Sequence, residues 1–286
     1  MQRLYFDKTT ILGVGLIGAS FAMALKGRGI SGHIAGWGRK EKNLRTALKK
    51  GIIDSYELDP CKACEGSDLV VLATPPGAFP ALAKKIRPSL KKGAILTDVG
   101  SVKGRLAYGL ETLMPKGVYF VGSHPIAGGN KSGIEAADPG LFEGALCVVT
   151  ETGNTNATAL RKVVALWKAL GSTVIKMPPE EHDRVYGLVS HLPHLLAYAL
   201  VNTVADVDES LIGFAGPGFR DTTRIAGSPS GLWADIAVEN KKNLLRYIDL
   251  YTANLKRLKT YLKKEDRGSL EKDFKRAQKL RERMRA

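Results

Sequence analysis

Seven short apolar runs punctuate the first 177 residues: Thr10-Ile-Leu-Gly-Val-Gly, His33-Ile-Ala-Gly-Trp, Asp68-Leu-Val-Val-Leu-Ala, Ala94-Ile-Leu-Thr-Asp-Val, Val118-Tyr-Phe-Val-Gly, Ala145-Leu-Cys-Val-Val-Thr and Ser172-Thr-Val-Ile-Lys-Met. Each has the length and β-branched content of a buried strand. Between them lie stretches with helical spacing, such as Asn43 to Lys50 and Ala157 to Leu170, the latter closed by Gly171. Such alternation predicts an α/β fold: a Rossmann-type, doubly wound, mostly parallel sheet covered on both faces. After Pro178-Pro179 the strand signal stops. A long helical pattern runs from Glu180, a Gly/Pro-rich stretch covers 213–231, and helical spacing resumes over Leu232 to Lys264 and from Leu270 to the end. The expected organisation is a dinucleotide-binding domain over 1–177 and an all-helical domain over 178–286. The second has long apolar helices and little core to cover them, which predicts a homodimer.

Composition narrows the class. Apolar residues make up 44% and charged residues 25%, values of a folded globular chain rather than a disordered one. The N-terminus has no apolar stretch behind a basic start, and the apolar runs look interrupted by polar residues, so neither a leader nor a membrane span is expected. Three cysteines, Cys61, Cys64 and Cys147, are an odd and sparse set that fits a reducing, cytoplasmic setting. The net charge of +15 suggests nucleic acid at first sight, but residues 241–286 hold 16 Lys or Arg against 6 Asp or Glu, which leaves only +5 elsewhere. That segment lacks interleaved aromatics and zinc-ligand spacing. A solvated helix face fits it better than an electrostatic partner, whether acidic protein or nucleic acid, and the field also attracts anionic substrates.

The first run leads into Gly13-Val14-Gly15-Leu16-Ile17-Gly18, a GxGxxG at the start of a strand–turn–helix unit. Its glycines allow a tight turn, close approach of a pyrophosphate and close helix–strand packing, while Leu16 and Ile17 open the helix whose free N–H groups face the phosphates. The second strand ends in Gly36-Trp37-Gly38-Arg39-Lys40. Where an acid would bind the ribose hydroxyl stand Gly38 and Arg39, the arrangement expected for a 2′-phosphate. NADP is favoured over NAD on this ground.

Three further segments stand where parallel strands deliver their C-terminal ends to a ligand: Ala73-Thr74-Pro75-Pro76, Thr97-Asp98-Val99-Gly100-Ser101-Val102-Lys103, and Gly122-Ser123-His124-Pro125-Ile126-Ala127-Gly128. Together with Ser190-His191-Leu192-Pro193-His194 and Phe219-Arg220-Asp221-Thr222-Thr223-Arg224-Ile225-Ala226, they resemble, in order and over nearly the whole chain, the prephenate/arogenate dehydrogenases of tyrosine biosynthesis. The resemblance implies an NAD(P)-dependent oxidative decarboxylation of a cyclohexadienol. It implies that His124 accepts the hydroxyl proton beside Ser101, that Arg224 grips a substrate carboxylate, and that Asp221, His191 and Trp233 line the site. Thr74, Pro75, Val99 and Ser101 would lie against the cofactor. The chemistry is consistent: a dianionic substrate needs a cationic fork, and hydroxyl deprotonation needs a base in the imidazole range.

Other candidates read as ordinary. His191 and His194 lack a third ligand, so no metal site is expected; His194 reads as core-facing, His182 as exposed near a helix start, and His33 as solvated. Arg220 competes with Arg224 for the carboxylate. Cys61-Lys-Ala-Cys64 lacks the context of a redox pair. One departure from the family pattern matters. Gly129-Asn130 stands where many relatives have Thr-Glu, and a neutral Asn130 in the substrate site favours the keto acid prephenate over the amino acid arogenate. The alternatives kept open are arogenate, another two-domain dehydrogenase such as a β-hydroxyacid dehydrogenase (which would rely on a catalytic lysine in the helical domain), and a non-enzymatic NADP sensor.

Overall fold

A computed structural model describes residues 5–128 and 133–285. Strands β1 (Phe6–Leu12), β2 (Ser31–Trp37), β3 (Ser55–Glu57), β4 (Leu69–Leu72), β5 (Ile95–Asp98) and β6 (Tyr119–Val121) form one sheet in the order β3-β2-β1-β4-β5-β6, parallel throughout. This is the doubly wound order with its switch point between β1 and β4, where open α/β sheets bind ligands. Successive residues alternate faces. Ile11, Val71 and Ile95 join Phe21, Leu25 and Trp167 in one core, while Leu12, Val70, Leu72 and Leu96 join Phe79 and Phe120 in the other. Helix α1 (Leu16–Gly27) belongs to the first layer. Helices α4 (Phe79–Ile86) and α5 (Gly104–Leu113) belong to the second; α2 (Glu41–Lys49) and α3 (Pro60–Cys64) complete the crossovers.

The sheet is not continuous through all seven expected strands. The chain breaks at Gly122 and enters a second, three-stranded sheet: β7 (Ser123–Pro125) lies antiparallel to β8 (Leu146–Thr150), which lies parallel to β9 (Thr173–Met177). The reason is local. Asp98 at the end of β5 is buried and accepts the Ser123 N–H at 3.1 Å, and the Ser123 hydroxyl donates to the Asp98 carbonyl, so the strand after Gly122 is tied across the end of the first sheet. Both β3 and β7 are three residues long, too short for an apolar run to announce them. Helix α6 (Ala157–Ala169) is capped by Asn156, whose carboxamide oxygen accepts from the N–H groups of Thr158 and Ala159.

From residue 178 the described chain is helical. Helix α7 (Pro179–Tyr186) runs into a π-helical turn, Gly187–His191, and on into α8 (Leu192–Asp208). The stretch expected to be irregular contains α9 (Pro217–Thr223) between short 3-10 turns. The single helix expected from Leu232 to Lys264 is broken at Asn240 into α10 (Ser230–Glu239) and α11 (Lys241–Lys263); α12 (Arg267–Glu282) starts on the cap of Asp266, whose carboxylate accepts the Ser269 N–H. Compactness divides the chain into two units, 1–240 and 241–286. In the first, α7 and α10 pack on α5 and the turn after β4. In the second, α11 and α12 form a hairpin carrying an Arg257–Asp273 ion pair at 2.9 Å. The run Pro179–Phe214 is apolar and long enough to cross a membrane by length and composition, contrary to the sequence expectation, with 17% of its most apolar window buried within this chain.

Candidate active site

Gly13, Gly15 and Gly18 form the turn from β1 into α1. Gly13 takes φ +114°, and a Cβ there would come within 2.5 Å of the Ala73 carbonyl at the end of β4. Gly18 lets α1 press onto the strand, since a Cβ would meet the Gly13 carbonyl at 2.1 Å. Around Gly15 there is open space, and the helix begins there, with Leu16 and Ile17 in its first turn. Thr74, directly after β4, keeps a buried hydroxyl without a protein partner, and Pro75 is exposed beside it. An open, N–H-lined helix start facing an orphaned hydroxyl fits a dinucleotide pyrophosphate. Gly38 and Arg39 follow β2; Arg39 is exposed, and the nearest atom to a Cβ on Gly38 is Leu44 Cδ2 at 3.6 Å. Val99 packs against the core at the end of β5, ahead of Ser101.

Past the end of β5 the backbone is held by buried side chains. Lys103, 1% exposed, turns back to donate to Asp98 Oδ2 at 2.7 Å and to the carbonyls of Gly100 at 2.6 Å and Val102 at 3.3 Å. His191 Nε2 lies 3.1 Å from the intervening Ser101 carbonyl. Burial pushes Asp98 above the usual carboxylate range, with the Lys103 ammonium and two backbone N–H donors opposing it.

His124, on β7, is buried, and its Nδ1 lies 2.8 Å from His182 Nε2 on α7. His182 Nδ1 lies 2.8 Å from Asp183 Oδ1, which also accepts the Lys103 N–H at 2.8 Å. A carboxylate only accepts, so His182 donates from Nδ1 and accepts at Nε2. His124 therefore carries its proton on Nδ1 and keeps a lone pair on Nε2. The Tyr186 ring packs edge-on to His124 and tilted against His182, with centroids 5.1 and 4.7 Å away. The sequence reading of His182 as exposed is corrected: it is 0% exposed. Pro179, His182, Asp183 and Tyr186 form the buried face of α7, an i, i+3, i+4, i+7 stripe legible in the sequence once polar residues are allowed on it.

The π turn, a feature that recurs at functional sites, precedes α8 and carries His191 inward, 1% exposed. Both of its ring nitrogens are engaged, Nε2 at the Ser101 carbonyl and Nδ1 at Asn240, so the ring secures backbone rather than offering a free polar atom. One turn on, His194 stacks on Trp233 of α10 with centroids 3.3 Å apart, half-buried rather than in the core. The Arg224 charge helps lower the pKa of His194, behind the larger effect of burial. Ser101, His191, Trp233, His194 and Arg224 are thus linked in one chain of neighbours. Arg220 and Asp221 lie on α9, exposed, and Asn130 falls outside the described residues. Sequence reasoning missed His182, Asp183, Lys103 and Asn240. Among the described residues no cluster suited to a metal ion occurs.

Burial, with the neighbouring cationic and imidazole groups, holds His124 and His182 well below 6.5 and His191 at about 4. Unfolded histidine takes up its proton near 6.5, so these rings contribute nothing above that pH. As the pH falls from 6.5 toward the folded values, the unfolded chain binds protons that the buried rings refuse, and the folded state is increasingly penalised. Each costs about 1.4 kcal/mol per pH unit in that window. Asp98 and Asp183, both raised by burial and Asp183 to about 6, work the other way, but they are two groups against three buried histidines. The melting temperature should therefore drop steeply below pH 6.5, with a shallower slope in His182→Gln. A flat profile by calorimetry would contradict neutral buried rings.

Comparison with known proteins identifies the family. The family model for the prephenate dehydrogenase nucleotide-binding domain matches residues 21–176, and that for the prephenate dehydrogenase dimerization domain matches 178–276. The chain is 34% identical to a prephenate dehydrogenase of Bacillus subtilis over 96% of this chain and 76% of that one. It is also 34% identical to a cyclohexadienyl dehydrogenase of Zymomonas mobilis, over 96% and 95%. A prephenate dehydrogenase from A. aeolicus, crystallised with hydroxyphenyl propionate and NAD+, superimposes with a TM-score of 0.94 at 38% identity, covering 99% of this chain and 100% of that one. With both family domains matched in order along the chain and relatives 34% identical over nearly all of it, the chain belongs to the prephenate dehydrogenase family of oxidoreductases.

Proposed function

We propose that the protein oxidatively decarboxylates prephenate to 4-hydroxyphenylpyruvate with NAD(P). The observation that carries this reading is the Asp183–His182–His124 chain, which leaves the His124 Nε2 lone pair as a proton acceptor. His124 takes the proton of the ring C4 hydroxyl as C4 becomes a carbonyl carbon. The developing imidazolium is stabilised by the His182 lone pair on its other nitrogen, and His182 in turn by Asp183. Arg224 offers a planar fork to a substrate carboxylate near the stacked His194 and Trp233. Loss of carbon dioxide from C1 then gives the aromatic ring. When bound, the nicotinamide supplies the hydride acceptor; Gly13, Gly15 and Gly18 would hold the dinucleotide's pyrophosphate, and the unpartnered Thr74 hydroxyl would bond the dinucleotide. The neutral side chain of Asn130 supports the keto acid over arogenate. The test follows reduced-nicotinamide absorbance with prephenate and with arogenate, each with NAD and with NADP; turnover of neither acid would refute the reading.

For the cofactor we propose a preference for NADP. A hydrogen bond to a charged group contributes about 1.5–3 kcal/mol, or roughly 10–100-fold in affinity, and exposed Arg39 is free to swing onto a 2′-phosphate. Arg39→Ala should raise the KM for NADP at least about ten-fold and leave NAD nearly unaffected. The 3.6 Å clearance at Gly38 accepts a carboxylate, so Gly38→Asp should swing the preference to NAD. Equal kcat/KM for both dinucleotides, unmoved by Arg39→Ala, would remove this part of the reading.

For assembly we propose a homodimer. The dimerization-domain match and the exposed Val207, Phe214, Leu250, Leu255 and Leu262 support it, because isolated chains seldom leave so much apolar helix surface in water. The basic face of α12, including Lys272, Lys275, Arg276 and Lys279, is exposed and reads as solvent-facing. Light scattering should give twice the chain mass of 30.9 kDa; the single-chain mass at micromolar concentration would refute the dimer.

A further inference from the structure

Asn240 ends α10 and is 2% exposed, in a position no sequence motif marked. Its carboxamide nitrogen reaches two acceptors, the Asp183 carbonyl at 2.8 Å and His191 Nδ1 at 3.0 Å. A carbonyl oxygen can only accept, so the Asp183 contact fixes which end of the amide faces inward: the NH2 group. Its second hydrogen then points at His191, and an amide nitrogen cannot accept. His191 must therefore present a lone pair at Nδ1 and carry its proton at Nε2. At the other side of the ring, 3.1 Å away, is the Ser101 carbonyl, which requires a donor. The two ends agree on one tautomer. Gly100 and Val102 also have their carbonyls taken, by Lys103, so the His191 bond completes a set of three consecutive carbonyls turned toward buried donors.

We propose that Asn240 is a positioning residue of the site: its amide selects the Nε2–H tautomer of His191 and through that ring fixes the turn that carries Ser101. The same amide holds the Asp183 carbonyl, so one side chain registers the π turn, the start of α5 and the proton-accepting chain against each other. Asp183 on α7 and His191, the last residue of the π turn, lie on one helical run, and both come within reach of a single carboxamide. The consequence for turnover rests on Ser101 belonging to the reaction site; the tautomer itself does not.

Two measurements test it. In wild-type protein labelled with 15N-histidine and 15N-asparagine, His191 Nδ1 should resonate as a lone-pair nitrogen. It should also show a scalar coupling across the hydrogen bond to the Asn240 amide. Five histidines keep the spectrum assignable by single replacement. Asn240→Asp swaps the donor for an acceptor of the same shape, so the His191 proton should move to Nδ1 and the ring lose its bond to Ser101. Turnover should then fall roughly ten-fold or more, the effect of a wrong tautomer acting through a neighbour, while dinucleotide affinity stays within about two-fold. If the buried carboxylate prevents folding, Asn240→Ala, checked by dinucleotide binding, should show the same loss of turnover. A wild-type His191 protonated at Nδ1 would overturn the proposal, as would a tautomer unchanged in Asn240→Asp, or full turnover in Asn240→Asp or in Asn240→Ala. Lack of any turnover by the wild type would instead refute the proposed reaction and leave the tautomer measurement standing.

Discussion

His124→Asn is expected to lower kcat by about 10²–10⁴-fold, the usual contribution of a positioned general base, with dinucleotide affinity held within about two-fold. Asparagine can still bond His182 through its amide, so the fold around α7 should survive, but it has no lone pair basic enough to take a hydroxyl proton. The loss should therefore fall on kcat rather than on substrate KM. The pH profile gives an independent reading. Because burial, His182 and Lys103 hold the ring below its usual range, the base is already deprotonated at neutrality. The acidic limb of kcat/KM for the wild type should lie below pH 6.5, and it should vanish in His124→Asn. A limb centred above 6.5, or near-normal turnover by the variant, would remove His124 from the role of base.

Arg224→Ala is expected to raise the KM for prephenate by about 10²–10³-fold, since stripping a partner from a desolvated carboxylate costs on the order of 3–5 kcal/mol. Cofactor affinity should move by no more than a few-fold, because the glycine turn and Thr74 lie on the sheet side of the crevice. The parallel variant Arg220→Ala should do far less. Both side chains are exposed, but Arg224 is close enough to His194 for its charge to be felt there. A larger effect from Arg220→Ala in steady-state kinetics would reverse the assignment.

Much of the sheet was legible because parallel strands buried on both faces are near-continuously apolar, as Leu69 to Leu72 is throughout and Ile95-Leu96 is ahead of the polar Thr97 and Asp98. Strands β3 and β7 were not, because three residues held mainly by neighbouring backbone need no apolar run. The site divided along similar lines. Gly13, Thr74, Ser101 and His124 sit at strand ends, where position alone signals a ligand. The supporting polar residues were hidden because their partners are distant in sequence. His182 shares a helix turn with exposed Glu181 and Arg184, and only its 58-residue link to His124 distinguishes it from a surface histidine. Asn240 reads as a helix-ending residue, which it is, and its second task depends on a π turn that no spacing rule foretells.

Asp183 does two jobs that are usually separate. Its carboxylate sits over the first turn of α5, taking the Lys103 N–H, with its other oxygen 2.4 Å from where a Cβ on Gly104 would be, and it anchors His182 at the same time. Fraying of that helix end and loss of the aligned imidazoles are consequently a single event rather than two. Amide hydrogen exchange at residues 103 and 104 should then track the integrity of the reaction centre, slowing whenever a bound ligand holds His124 in place. A spectroscopic probe at the foot of a helix would read the competence of a base two side chains away.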